Sequence, residues 1–357
     1  PATLVVGGSG FVESFTNIIK NLISGGKILK VKNKLLFFLI NLLFSLCAFA
    51  VGNNEIIIPK GLKPGDTIGL VAPANYKGDN AMYEVEYLRN RGFNVVFGKS
   101  FDSKWYGFGG SDELRAKDIN DMFANPRINA IFAIRGGYGS IRFIDKLNYD
   151  VIRKNPKIIS GFSDITTLLL AINEKTGLVT FHGPMADNLK EIPVTTENSF
   201  DKAFMSNSSY NLLDFDNSYT IMKNGRGSGR ITGGNLSLVV ATLGTDYEIN
   251  TDGKILFLEE VNEDSYRVDR MLQQLRLAGK FKNLKGIIIG DFRNPKKADP
   301  TDMSIDEVFY DNFGKLNVPI IKGLKSGHVR PFITIPIGAN VKIDTYRREA
   351  IIEKSTK

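Results

Sequence analysis

Cysteine is almost absent: the 357 residues contain one, Cys47. That excludes an internal disulfide framework and any multi-cysteine metal site. Histidine is nearly as scarce. Only His182 and His328 occur, so histidine-dependent chemistry has to use one of these two. There is also no long basic run and no interleaving of aromatic with basic residues. Half of the net charge of +8 comes from residues 1–50, where five lysines face Glu13 alone. Beyond them the excess is thin and describes a solvated surface, so no nucleic-acid partner is expected. A Walker spacing with its Lys-Ser/Thr is missing, which disfavours nucleotide binding. No internal repeat is visible.

What is present is a globular composition, 43% hydrophobic and 24% charged, on a chain long enough for two domains. Residues 1–30 read as an upstream or appended segment, because no Met precedes Met82. Their Gly7-Gly8-Ser9-Gly10 loop resembles a dinucleotide-binding turn, but Glu13 stands where the third glycine belongs. Residues 31–50 have the form of a signal peptide: lysines at 30, 32 and 34, an apolar block from Leu35 to Leu46, then Ala48-Phe49-Ala50. Cleavage is expected after Ala50, giving a periplasmic or exported protein, or a cytoplasmic one if the leader is unused. No stable membrane span is expected once the leader is removed.

From Thr67 onward, apolar strands alternate with helical patterns. Thr67–Ala72, Phe93–Phe97 and Ala130–Ile134 read as strands, with Ala81–Arg91 and Asp112–Phe123 as helices between them, and the stretch from Asn155 to Thr166 reads as a short buried strand, an abrupt turn and then a helix. This pace indicates parallel βαβ units. The expected fold is α/β: an N-terminal open, mostly parallel sheet with flanking helices (51–190) and a polar connector (191–228). A C-terminal mixed α/β domain (229–357) follows, ending in antiparallel strands over Phe332–Ile352. In the latter, Lys254–Glu259 and Gly286–Gly290 are buried strands and Ser265–Leu277 is a helix.

Ser163 stands where a buried strand turns abruptly into a helix, a geometry that exposes a hydroxyl beside unpaired helix N–H groups. It is a candidate nucleophile; the alternative is that Ser163 or Asp164 only caps the helix. Arg135-Gly136-Gly137-Tyr138-Gly139-Ser140 follows another strand. Its glycines let backbone N–H groups approach an oxyanion or a phosphate, unless the loop is simply a tight turn. Glu259 ends a strand, and Glu260 is expected to point to the opposite face. His328 and His182 compete as general base. Arg267 and Arg270 lie one helical turn apart and could meet a substrate carboxylate or pair with Glu263 and Asp269.

Seven of these segments, in order, resemble the LD-carboxypeptidase family of serine peptidases, which also holds the microcin-immunity hydrolases. They are Gly65-Asp66 through Ala72-Pro73, Arg135 to Gly139, Gly161-Phe162-Ser163-Asp164, His182-Gly183-Pro184-Met185, Gly233-Gly234-Asn235-Leu236, Leu258-Glu259 with Tyr266 to Leu272, and Gly327-His328. The resemblance implies a catalytic triad Ser163, Glu259 and His328, with an oxyanion hole from the N–H groups of Gly137 (or Gly136) and Asp164. It further implies removal of the terminal D-Ala from a murein tetrapeptide, no metal or other cofactor, and a homodimer. Arg135 and Arg267 are the candidate substrate-binding residues. A microcin-type acyl hydrolase on the same triad and a non-catalytic periplasmic binding protein are the alternatives.

Overall fold

The computed structural model describes residues 55–78 and 82–357. The upstream segment, the leader at 31–50 and Cys47 lie outside the described residues. Two sheets carry the described chain. The first is built from β1 (Thr67–Val71), β2 (Asn94–Phe97), β3 (Ala130–Ala133), β4 (Ile158–Gly161) and β5 (Thr180–His182). These five run parallel. β3 and β4 are buried along their whole length, as the central strands of a sheet covered on both faces must be. The helices α1 (Met82–Asn90), α2 (Asp112–Ala124), α3 (Tyr149–Lys154) and α4 (Thr166–Thr176) make the connections.

The polar stretch read as a connector is structured. It holds a helix, α5 (Val194–Phe200), and the short strands β6 (Tyr210–Asn211) and β7 (Thr220–Lys223). Its polar residues had masked buried anchors, Thr196, Ser199 and Phe200.

The second sheet adds β8 (Arg226–Asn235), β9 (Ile255–Val261), β10 (Gly286–Arg293), β11 (Ile320–Lys322), β13 (Asn340–Asp344) and β14 (Glu349–Ile352). Its order is β6-β14-β13-β8-β9-β10-β11-β7. The four strands β8 to β11 are parallel, and those outside them pair antiparallel. The helices α6 (Leu236–Ala241), α7 (Ser265–Leu277) and α8 (Ile305–Phe313) complete this half.

One strand crosses between the halves of the sequence. β12 (Ile335–Ile337) pairs antiparallel with β5 and closes the first sheet in the order β12-β5-β4-β3-β1-β2. The turn-rich C-terminal segment thus supplies antiparallel strands to both sheets. In the first sheet the order reverses at β1, which lies between β2 and β3. A crevice forms outside the carboxyl ends of strands at such a switch point. The segments leaving β1, β3 and β4 there are Ala72–Asn75, Ile134–Gly139 and Phe162–Ser163.

Candidate active site

Ser163 stands one residue after β4, on a single turn of 3-10 helix (Ser163–Ile165) that leads into α4. Its φ of 61° lies in the left-handed region, where a non-glycine residue stores about 1–3 kcal/mol. The surroundings hold that conformation. Phe162 before it is buried, and Asp164 after it is 1% exposed. The Asp164 carboxylate accepts hydrogen bonds from Gly139 N at 3.1 Å and Ser140 N at 2.8 Å. Burial pushes this carboxyl upward in pKa, and those donors oppose the shift. The side chain beside Ser163 therefore fastens the glycine-rich loop to the nucleophile turn.

That loop passes close to Ser163. A Cβ on Gly136 would stand 3.2 Å from Ser163 Cβ and 3.4 Å from its Oγ. Gly137 has φ of 124°, and a side chain there would collide with the Asn75 carboxamide. Asn75 Oδ1 in turn accepts from Tyr138 N at 3.2 Å. Below the loop lies Arg115, whose side chain is fully buried. Its guanidinium donates to Pro73 O at 2.7 Å and Gly139 O at 3.0 Å, pairs with Asp112, and packs between the Phe108 and Phe143 rings. One cation thus ties the exits of β1 and β3 together. The sequence reading missed Arg115; the available signal was a charge in line with Ile119 and Met122 on the buried stripe of α2.

Glu259 is fully buried on β9, and its Oε2 lies 2.9 Å from His328 Nδ1. Burial raises the carboxyl pKa, and the imidazole opposes the shift. Glu260 points to the opposite face, as alternation predicts, and accepts from Asn235 Nδ2 at 3.0 Å and Ser237 N at 2.8 Å. Asn235 also caps α6 and donates its N–H to Thr166 Oγ1, 3.2 Å away at the start of α4. The Gly233-Gly234-Asn235 segment therefore docks the second sheet on the helix that follows Ser163.

His328 sits in the loop after β11. That loop is held by Asp291 N to Ser326 O at 2.9 Å, Ile333 N to Lys325 O at 2.6 Å, and Arg293 Nη1 to His328 O at 2.6 Å. The His328 ring meets the Phe162 ring edge-on at 5.0 Å, so the imidazole stands beside the residue preceding Ser163. His182 also packs against the Phe162 ring, but inside the core. It is 1% exposed, packed among Phe162, Phe257 and Phe332, and burial pushes its pKa down to about 3.

A cavity of about 390 Å³ opens beside His328, walled by Phe162, Ile192, Phe332, Arg293 and Arg330. Arg267 is not among its lining residues. It pairs with Glu263 and Asp264 and stacks on Tyr266, and Arg270 shares the same ring. Arg135 is half-buried at the base of the glycine loop. Among the described residues no group of three or more His, Cys, Asp or Glu side chains could hold a metal ion, and no helix is long and apolar enough to cross a membrane.

Known proteins share this fold. Residues 68–183 match the family model for the LD-carboxypeptidase N-terminal domain, and residues 228–343 match that for the C-terminal domain. A probable murein peptide carboxypeptidase of Bacillus subtilis is 38% identical over 304 residues, covering 83% of this chain and 94% of its own. The microcin C7 self-immunity protein MccF of Escherichia coli is 31% identical, with 79% and 92% covered. Among solved structures, MccF in complex with aspartyl sulfamoyl adenosine superposes with a TM-score of 0.77 at 27% identity, over 84% of this chain and all of that one. The muramoyltetrapeptide carboxypeptidase of Oxalobacter formigenes gives 0.72 at 26%, over 82% and 100%. The chain belongs to the LD-carboxypeptidase family of serine peptidases.

Proposed function

We propose that this protein removes the terminal D-Ala from murein tetrapeptide through an acyl-enzyme on Ser163, with His328 as general base and Glu259 as its partner. The observation that carries the reading is the contact between the buried Glu259 carboxylate and His328 Nδ1. A carboxylate there holds the Nδ1–H tautomer and leaves Nε2 free to accept a proton. His182, the other histidine, is buried with a pKa near 3, which suits it to packing and not to proton transfer at neutral pH.

In this reading Nε2 takes the Ser163 proton as Oγ attacks the carbonyl preceding D-Ala. The oxyanion is received by N–H groups of the Gly136–Gly137 segment and of Asp164; one such donor is typically worth about 10²–10³ in rate. The imidazolium, stabilised by Glu259, then protonates the leaving amine. Water attacks the ester with the same imidazole as base, and the shortened peptide leaves. The strained φ of Ser163 is consistent with a residue held for attack. The leader read at 31–50 would put this activity outside the cytoplasmic membrane, which N-terminal sequencing of exported protein would test by finding a chain that starts at Val51.

A second reading rests on the MccF relative: the same triad hydrolysing a microcin-type acyl substrate. Mass spectrometry of murein tetrapeptide incubated with the protein and with Ser163→Ala separates the readings. Loss of one alanine only with the unsubstituted protein is expected. Cleavage of an aminoacyl sulfamoyl nucleoside but not of the tetrapeptide favours the second reading, and cleavage by both proteins removes Ser163 as nucleophile.

A further inference from the structure

The cavity beside His328 carries a charge that the triad does not use. Arg293 and Arg330 both line it, and no aspartate or glutamate does. Apart from these two and His328, the wall is largely apolar, with Phe162, Ile192, Val329 and Phe332. Neither guanidinium has an ion-pair partner among the described residues. A cleft with unneutralised cations on low-dielectric walls concentrates anions, and an arginine fork matches a carboxylate in bidentate geometry.

The two arginines are not equivalent. Arg293 is committed through Nη1 to the His328 carbonyl at 2.6 Å, so it braces the loop that carries the imidazole. Arg330 is exposed, has no such tether, and lies two residues from His328 on the same loop. In a peptide ending in D-Ala, three bonds separate the scissile carbonyl carbon from the terminal carboxylate carbon, a span under about 4 Å. A cation that reads this carboxylate has to stand beside the general base. Arg330 meets that requirement, whereas Arg267 is occupied by Glu263 and Asp264 outside the cavity.

We infer that Arg330 binds the C-terminal carboxylate of the substrate and makes the enzyme an exopeptidase, while Arg293 positions the His328 loop. This rests on the carboxypeptidase reading above. Because no bond is broken in recognition, binding tests it apart from turnover. The probe is murein tetrapeptide with D-Ala as the free acid or as the C-terminal amide, titrated calorimetrically into the Ser163→Ala protein. The free acid should bind about 10–100-fold more tightly than the amide, the range expected for a charge-assisted hydrogen-bonded pair.

Adding Arg330→Gln should abolish that preference by weakening the acid and leaving the amide unchanged. Arg330→Lys should keep part of it, and Arg267→Gln all of it. Equal binding of acid and amide before substitution, or a preference that survives Arg330→Gln, overturns the assignment. A preference that disappears only with Arg330→Gln, in a protein whose Ser163 form cleaves nothing, upholds the carboxylate site and sinks the carboxypeptidase reading instead.

Discussion

Glu259 Oε2 lies 2.9 Å from His328 Nδ1, although one residue is inside β9 and the other is in the loop after β11. The glycine before the histidine makes this contact possible. Gly327 has φ of 125°, and a Cβ there would stand 2.6 Å from the Glu259 Oε2 that the imidazole meets.

Gly327→Ala is therefore expected to harm the site twice, through a disfavoured backbone conformation and through displacement of the carboxylate. Turnover of murein tetrapeptide should fall by at least about tenfold, with a stability loss of about 1 kcal/mol or more. Steady-state kinetics beside urea unfolding measures both. Wild-type kcat in this variant would contradict the steric argument.

Glu259→Gln removes the charge and keeps the shape. Since Glu259 is fully buried, the fold should tolerate a neutral amide. The wrong imidazole tautomer and the lost stabilisation of the imidazolium should lower kcat by about 10²–10⁴, with KM changed by less than about threefold. A drop smaller than tenfold would take Glu259 out of the proton-handling chain.

Arg115→Ala tests the clamp beneath the glycine loop. It unties Pro73 O and Gly139 O and opens a cavity between Phe108 and Phe143. A loss of about 3 kcal/mol is expected, together with reduced kcat because Gly136 is no longer held against Ser163. Arg142, which also pairs with Asp112, is exposed, so Arg142→Ala should cost far less. Equal melting temperatures for the two variants would refute the clamp.

His182 sets an acid limit to stability. Its folded pKa, about 3, lies below the ordinary value of 6.5 because burial disfavours the cation. Below about pH 6.5 the unfolded chain binds a proton here that the folded chain does not. The stabilisation is complete above that pH and is lost as pH falls towards 3, by up to about 1.4 kcal/mol per pH unit. His182→Leu should flatten this dependence, as read from urea midpoints at pH 7, 5 and 4. An unchanged slope would assign the acid sensitivity to other groups.

Much of this protein could be read locally. Helix and strand types follow from periods of 3.6 and 2 residues, which the backbone geometry of each element imposes on its side chains. That is why the strand before Ser163, the α7 helix and the opposed faces of Glu259 and Glu260 are visible in the sequence alone. The scarcity of histidine left only two candidates for a base. Which of the two is buried depends on what packs around it. Phe257 and Phe332, distant in sequence, enclose His182, while strand order brings the loop after β11 to Glu259. The return of β12 to the first sheet, the reach of Arg115 under two strand exits and the cations lining the cavity are likewise long-range events. Local pattern determined which elements form and where the reactive side chains stand on them; tertiary packing decided which of those side chains meet, because burial and register couple residues that no short period connects.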